Sequence, residues 1–174
     1  MVFCCERMLP NFKRFIIETG FGDAAVLRRA LDAIWMWIEN GTPPVALKEL
    51  KAACEQQAPN TENFSSPYTS AALDAANSVA IALDAIEDDD AEHVVEVASL
   101  ARDTVDLYVQ EQLNLDPSEA EFENKILSSP LMQRELTHQY ASLERLADLG
   151  GERGVASQKL RQDWSNIQSG SLGT

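Results

Sequence analysis

The chain has 174 residues, 45% of them apolar, which is enough for one domain with a real core and too few to expect two. Its net charge of −14 repels phosphate backbones and anionic lipid, so neither nucleic acid nor a membrane surface is an expected partner. No apolar run approaches the length that spans a bilayer, no signal peptide opens the chain, and three cysteines, two of them adjacent, make a poor disulfide framework, so a reduced, cytoplasmic setting is expected.

The acidic excess is confined to the middle. Residues 1–51 carry a net charge of +1, residues 52–130 carry −15 from seventeen acids and two bases, and residues 131–174 are neutral. That middle third would favour a cation or a basic protein partner, although a solvated acidic face that keeps the protein soluble is the plainer reading.

Apolar spacing is helical almost throughout and strict alternation is not sustained, so the expected fold is all-α: a single-domain bundle of about seven helices over residues 1–167, with a disordered tail at 168–174. The first helix runs from Val2 to Met8 and is broken or re-aimed at Pro10, whose missing N–H suits the first turn of a second piece ending at Thr19. Gly20 is a natural C-cap, and Asp23 caps a helix to Glu39 with Leu27, Leu31, Ile34 and Ile38 as its stripe, widened by Trp35 and Trp37. Thr42-Pro43-Pro44 starts a shorter helix to Gln57 with Val45, Leu47, Leu50 and Cys54 as its apolar face.

Residues 58–66 read as the longest loop, pinned by Phe64. Pro67 or Thr69 then opens an alanine-rich helix to Ile86, small nearly all round and therefore the expected centre of the bundle. Glu87 to Asp90 turn the chain and supply negative charge to the N-terminus of a helix from Ala91 to Leu113, with Val94, Ala98, Ala101, Val105 and Tyr108 facing inward. Asp116-Pro117 starts a short acidic helix to Leu127, Ser129-Pro130 a longer one to Leu149 closed by Gly150-Gly151, and a last helix from Val155 to Ile167 has Leu160, Trp164 and Ile167 as its stripe.

The residues Cys5-Glu6-Arg7-Met8 with Pro10-Asn11, Thr19-Gly20-Phe21-Gly22-Asp23, Arg29 with Leu31-Asp32 and Ile34-Trp35, and Ala71 to Ala75 with Asp74 carry a resemblance to the YjaG-like family of bacterial proteins. The likeness extends more loosely through Ala91 to Val105. It implies an all-helical cytoplasmic domain and brings no activity, cofactor or catalytic residue with it. Members of that family have a segment before the Cys-Glu-Arg motif, and the first helix here lacks an N-cap residue, so the start reads as truncated, with Phe3 and Cys4 left facing solvent.

Three chemical readings compete with structural ones. Glu6, Arg7, Arg28, Arg29 and Asp32 can gather near the glycine elbow as an ion-paired cluster, because Arg28 and Asp32 lie one helical turn apart; fastening the first helices together is the favoured role, anion binding the alternative. Pro10, Asn11, Gly20, Gly22, Asp23 and Trp35 complete that cluster. A phosphate at the elbow is disfavoured because Asp23 places a negative charge where the anion would sit.

A metal site is the sharpest enzyme-class idea. Glu135 and His138 share one helix face, Asp90 and His93 repeat the interval on another helix, and two such helices are the raw material of a carboxylate-bridged metal bundle. Chance i, i+3 pairs are common, and solvent-facing or hydrogen-bonded roles are favoured for both histidines. Cys4, Cys5 and Cys54 read as inert buried thiols, and Trp37 as the tryptophan for an interface. No catalytic residue and no cofactor follows from the sequence. The expectation is a binding or assembly module, a homo-oligomer or the holder of a basic partner, with a metal-dependent helical enzyme as the alternative.

Overall fold

The structure, a computed structural model, describes residues 1–148, 153–165 and 170–173. Those residues form eight α-helices: α1 (Val2–Thr19), α2 (Ala24–Asn40), α3 (Leu47–Glu55), α4 (Thr69–Asp88), α5 (Glu92–Leu113), α6 (Phe122–Leu127), α7 (Pro130–Asp148) and α8 (Arg153–Ser165), with a short 3-10 turn at Thr61–Asn63. No strand occurs among them, so the all-α expectation holds.

Helix α4 is the centre. Seven alanines and Ser78 along it are buried, and the small side chains let α1, α2, α3 and α5 approach it together. The main core gathers Met8, Phe12 and Phe15 of α1, Leu27, Leu31, Ile34 and Trp35 of α2, Cys54 of α3, Val79 and Leu83 of α4, and Val97 and Ala101 of α5. A second, smaller cluster joins Ala71, Val105, Val109, Ile126, Met132 and Leu172. Phe64 pins its loop as expected, with ring centroids 5.1 Å from Phe15 and 5.2 Å from Phe21.

Several boundaries differ from the sequence reading. Helix α1 runs straight through Pro10 rather than breaking there. An internal proline costs about 3 kcal/mol. Against that, one continuous helix buries Val2 to Leu9 on one side of Pro10 and Asn11, Phe12 and Phe15 on the other. Helix α3 starts at Leu47, leaving Val45 exposed, and α6 starts only at Phe122. Along α5 the buried stripe is Val97, Ala101, Thr104, Val105 and Val109, while Val94 is exposed and Tyr108 is half-buried against Tyr68.

Phe3 and Cys4 are buried rather than solvent-facing, because α4 and Trp35 cover that end of α1. Trp37 packs partly buried against the main core. The tail is also different where it is described: Gly170, Ser171 and Leu172 are buried. Residues 168, 169 and 174, the Gly150-Gly151 terminator, Ile167 and the Trp164 side chain lie outside the described residues.

Candidate functional site

Successive residues of an α-helix point about 100° apart, so three in a row can serve three neighbours. Cys5, Glu6 and Arg7 do this. The Cys5 thiol donates to Ser78 O of α4 at 3.4 Å. Glu6 turns to α2, accepting Arg28 Nη1 at 2.7 Å, Arg28 Nη2 at 2.8 Å and the Trp35 indole N–H at 2.8 Å. Arg7 turns to α7, its Nε and Nη2 donating to the two carboxylate oxygens of Glu135 at 3.1 and 2.6 Å.

Both members of that last pair are almost wholly buried, at 2% and 1% exposure. Burial opposes the Arg7 charge, but the Glu135 hydrogen bonds and charge outweigh it and hold the guanidinium above its ordinary range. Gln139, one turn further along α7, donates to Glu135 Oε1 at 2.9 Å and to Ala98 O of α5 at 3.0 Å. Burial pushes the Cys5 and Cys54 thiols up to about 12, which makes both poor nucleophiles.

The C-terminal segment completes the joint. Ser171 N–H donates to Arg7 O at 2.8 Å, and Asn11 Nδ2 donates to Ser171 Oγ at 2.7 Å. Arg134 Nη2 holds Gly170 O and Ser171 O at 3.1 and 3.0 Å. The docking point is three residues before Pro10, one residue on from Glu6, whose carbonyl is the one that the proline leaves without its helical donor.

Of the expected ionic cluster, Glu6, Arg28 and Asp32 come together, Arg28 Nη2 lying 3.1 Å from Asp32 Oδ1. Arg161 of α8 adds itself at 3.4 Å from Asp32 and 3.1 Å from Glu39, with its guanidinium 5.8 Å from the Trp35 ring centre. Arg7 leaves the cluster for Glu135, and Arg29 stays exposed with no ion pair among the described residues. At the elbow Gly20 and Gly22 both have positive φ, 72° and 93°. Asp23 Oδ1 accepts Ala25 N–H at 2.9 Å, and Gln57 Oε1 accepts the Asp23 N–H at 2.8 Å, tying the elbow to the end of α3.

The four metal candidates are not brought together. Asp90, just before the N-cap Ala91 of α5, accepts Glu92 N–H at 2.9 Å, and His93 Nε2 sits 3.0 Å from Asp88. Glu135 is committed to Arg7. His138 lines a cavity instead. Among the described residues no three histidine, cysteine, aspartate or glutamate side chains are placed to hold a metal ion. Among the described residues the metal-dependent alternative does not find the ligand set expected for it.

Sequence reasoning missed Glu135 as the anchor of Arg7, Gln139 and Ser171 as its supports, and Thr104, whose hydroxyl donates to Asp74 at 2.7 Å. Burial raises the Asp74 carboxyl above its usual range, the Thr104 bond opposing it. A glutamate between Arg134 and Leu136 on an amphipathic helix carries no local sign that it faces inward.

Two further surfaces are defined. Phe3, Arg7, His138, Ala141, Ser142 and Arg145 line a small cavity of about 130 Å³ between α1 and α7. At the other side of α7 a set of large apolar side chains stands exposed: Tyr140 at 67%, Leu143 at 62% and Leu146 at 51%, with Val94 at 39% and Val95 at 66% on α5. Residue 139 meets residue 98, and Met132 shares a cluster with Val105 and Val109, so α5 and α7 pair antiparallel and these exposed residues belong to one end of the pair. No helix among the described residues is long and apolar enough to cross a membrane.

Known proteins share this architecture. A crystal structure of a DUF416 family protein from Shewanella baltica superposes with a TM-score of 0.91 at 24% identity, covering 99% of this chain and 88% of that one. "Uncharacterized protein YjaG" of Escherichia coli is 27% identical over 175 residues, spanning 99% of this chain and 87% of the relative, and the protein of the same name from Salmonella typhimurium is 26% identical over the same shares. The sequence pattern described as "Protein of unknown function (DUF416)" matches residues 1–173, and the chain belongs to that family.

Proposed function

We infer that the protein is a one-domain, cytoplasmic binding or assembly module, and that it assembles with a second copy of itself through the exposed apolar end of α5 and α7. The observation that supports this is the stripe Met132, Leu136, Gln139, Leu143 and Leu146. It is buried or half-buried at its start and exposed over its last two turns. A helix that keeps its apolar stripe beyond the reach of its neighbours gains by covering it.

Charge favours a second copy over other occupants. Residues 131–174 carry no net charge, so two copies meeting chiefly through the α7 side of the patch keep the acidic start of α5, Glu87 to Asp90 with Glu92 and Glu96, at its edge and reduce the repulsion that two −15 middle segments would feel. Native mass spectrometry of the untagged protein over a concentration series tests the reading: it predicts a dimer that grows with concentration. A monomer at every concentration contradicts it.

A further inference from the structure

Arg7 donates through Nε and Nη2 to Glu135 and through Nη2 to the Cys4 sulfur at 3.5 Å. Its remaining amino group, Nη1, makes no hydrogen bond among the described residues and is not one of their fully buried unpaired atoms, so the small part of Arg7 that solvent reaches leaves this group open. A charged donor that solvent reaches through a cavity keeps its hydrogen-bonding capacity for water or for a ligand atom that displaces it. Arg7 forms one wall of the cavity between α1 and α7.

The other walls restrict what fits. Arg145 stands exposed and forms no ion pair among the described residues, a second guanidinium on the same cavity. The Ser142 hydroxyl is already donated to His138 O at 2.7 Å, leaving its oxygen only to accept. Phe3 and Ala141 are apolar. Glu135 offsets Arg7, so among the wall residues Arg145 is the one uncompensated charge; this suits an anion, and the Glu135 carboxylate behind Arg7 favours a monoanion over a dianion. Burial, then Arg7, moves the His138 imidazole below its ordinary range, with Arg134 and Arg145 adding to the effect and Glu135 opposing it. About 130 Å³ is the space of roughly four water molecules, enough for a carboxylate carrying a few carbons.

We propose that this cavity binds a small organic monocarboxylate, its oxygens taken by Arg7 Nη1 and the Arg145 guanidinium and its short carbon chain lying on Phe3 and Ala141. The site uses His138, Ala141, Ser142 and Arg145, one face of α7. Tyr140 and Leu143 lie on another, so ligand binding and self-assembly can fail separately.

Titration of the full-length protein with propionate, propanamide and inorganic phosphate, followed by amide NMR shifts at Ala141 and Ser142, tests it. Saturable shifts with propionate, weaker or none with the amide and phosphate, are expected. Arg145→Gln, at an exposed position, should weaken propionate about tenfold, as loss of one charged hydrogen bond implies. Ala141→Leu should abolish binding by filling the cavity while circular dichroism stays unchanged. No saturable propionate binding, equal binding of the amide, tighter binding of phosphate, or binding that survives Ala141→Leu would each overturn the proposal.

Discussion

Arg7 and Glu135 lie 128 residues apart in sequence and form a two-pronged ion pair that solvent barely reaches. The pair ties the first helix to the seventh. Removing one partner leaves the other charged and buried, so Glu135→Gln and Arg7→Met should each cost about 3–5 kcal/mol in urea unfolding. The double substitution Arg7→Met with Glu135→Leu should recover much of that, since two apolar groups leave no orphan charge. Single losses below about 1 kcal/mol would show that the pair is not held as described.

The glycine elbow makes a separate demand. A Cβ on Gly22 would stand 2.9 Å from the Phe12 ring, at a φ that L-residues rarely adopt. Gly22→Ala should therefore destabilise by more than about 1 kcal/mol, and Asp23→Ala by about 1 kcal/mol through loss of the α2 cap. Neither should change propionate binding, because the elbow is remote from the cavity walls; chemical denaturation and the NMR titration together check this.

Docking of residues 170–173 gives a third expectation. Leu172 is 6% exposed within the second core cluster, and Ser171 bonds Asn11 and the Arg7 carbonyl. Leu172→Ala should cost about 2 kcal/mol and Ser171→Ala about 1 kcal/mol. A tail that frayed would tolerate both without measurable loss in thermal melts.

His93 and Asp88 supply the pH dependence. The Asp88 hydrogen bond holds the His93 imidazole above its ordinary 6.5, and the same bond, chiefly, holds the Asp88 carboxyl below its ordinary 3.8. The histidine contribution to stability is present below pH 6.5 and fades as pH rises through the raised value. The aspartate contribution is present above pH 3.8 and fades as pH falls through the lowered one. NMR titration should place His93 above 6.5, and Asp88→Asn should bring it down; an unshifted wild-type imidazole contradicts the pairing.

Local signals were readable and distant ones were not. Gly20, Asp23, Phe64 and the Ser129-Pro130 start all act as their residue types imply, Ser129 Oγ accepting Met132 N–H at 3.2 Å. The Arg28–Asp32 pair follows from spacing on one helix. Spacing could not assign Arg7 to Glu135, because nothing local marks an inward glutamate. On α5 the sequence places Ala101 and Val105 correctly but not Val94, Ala98 and Tyr108, because apolar residues surround more than one face of that helix. Pro10 was read as a break because only tertiary packing, on both sides of it and against Ser171, supports a continuous helix there.

Sedimentation velocity on wild type and Leu143→Glu, run side by side at increasing concentration, tests the assembly reading most directly. Leu143 is 62% exposed, so the substitution should leave the thermal midpoint of the monomer unchanged. The predicted result is a dimer for wild type and a monomer for the variant. Two monomers, or two equally stable dimers, would contradict it.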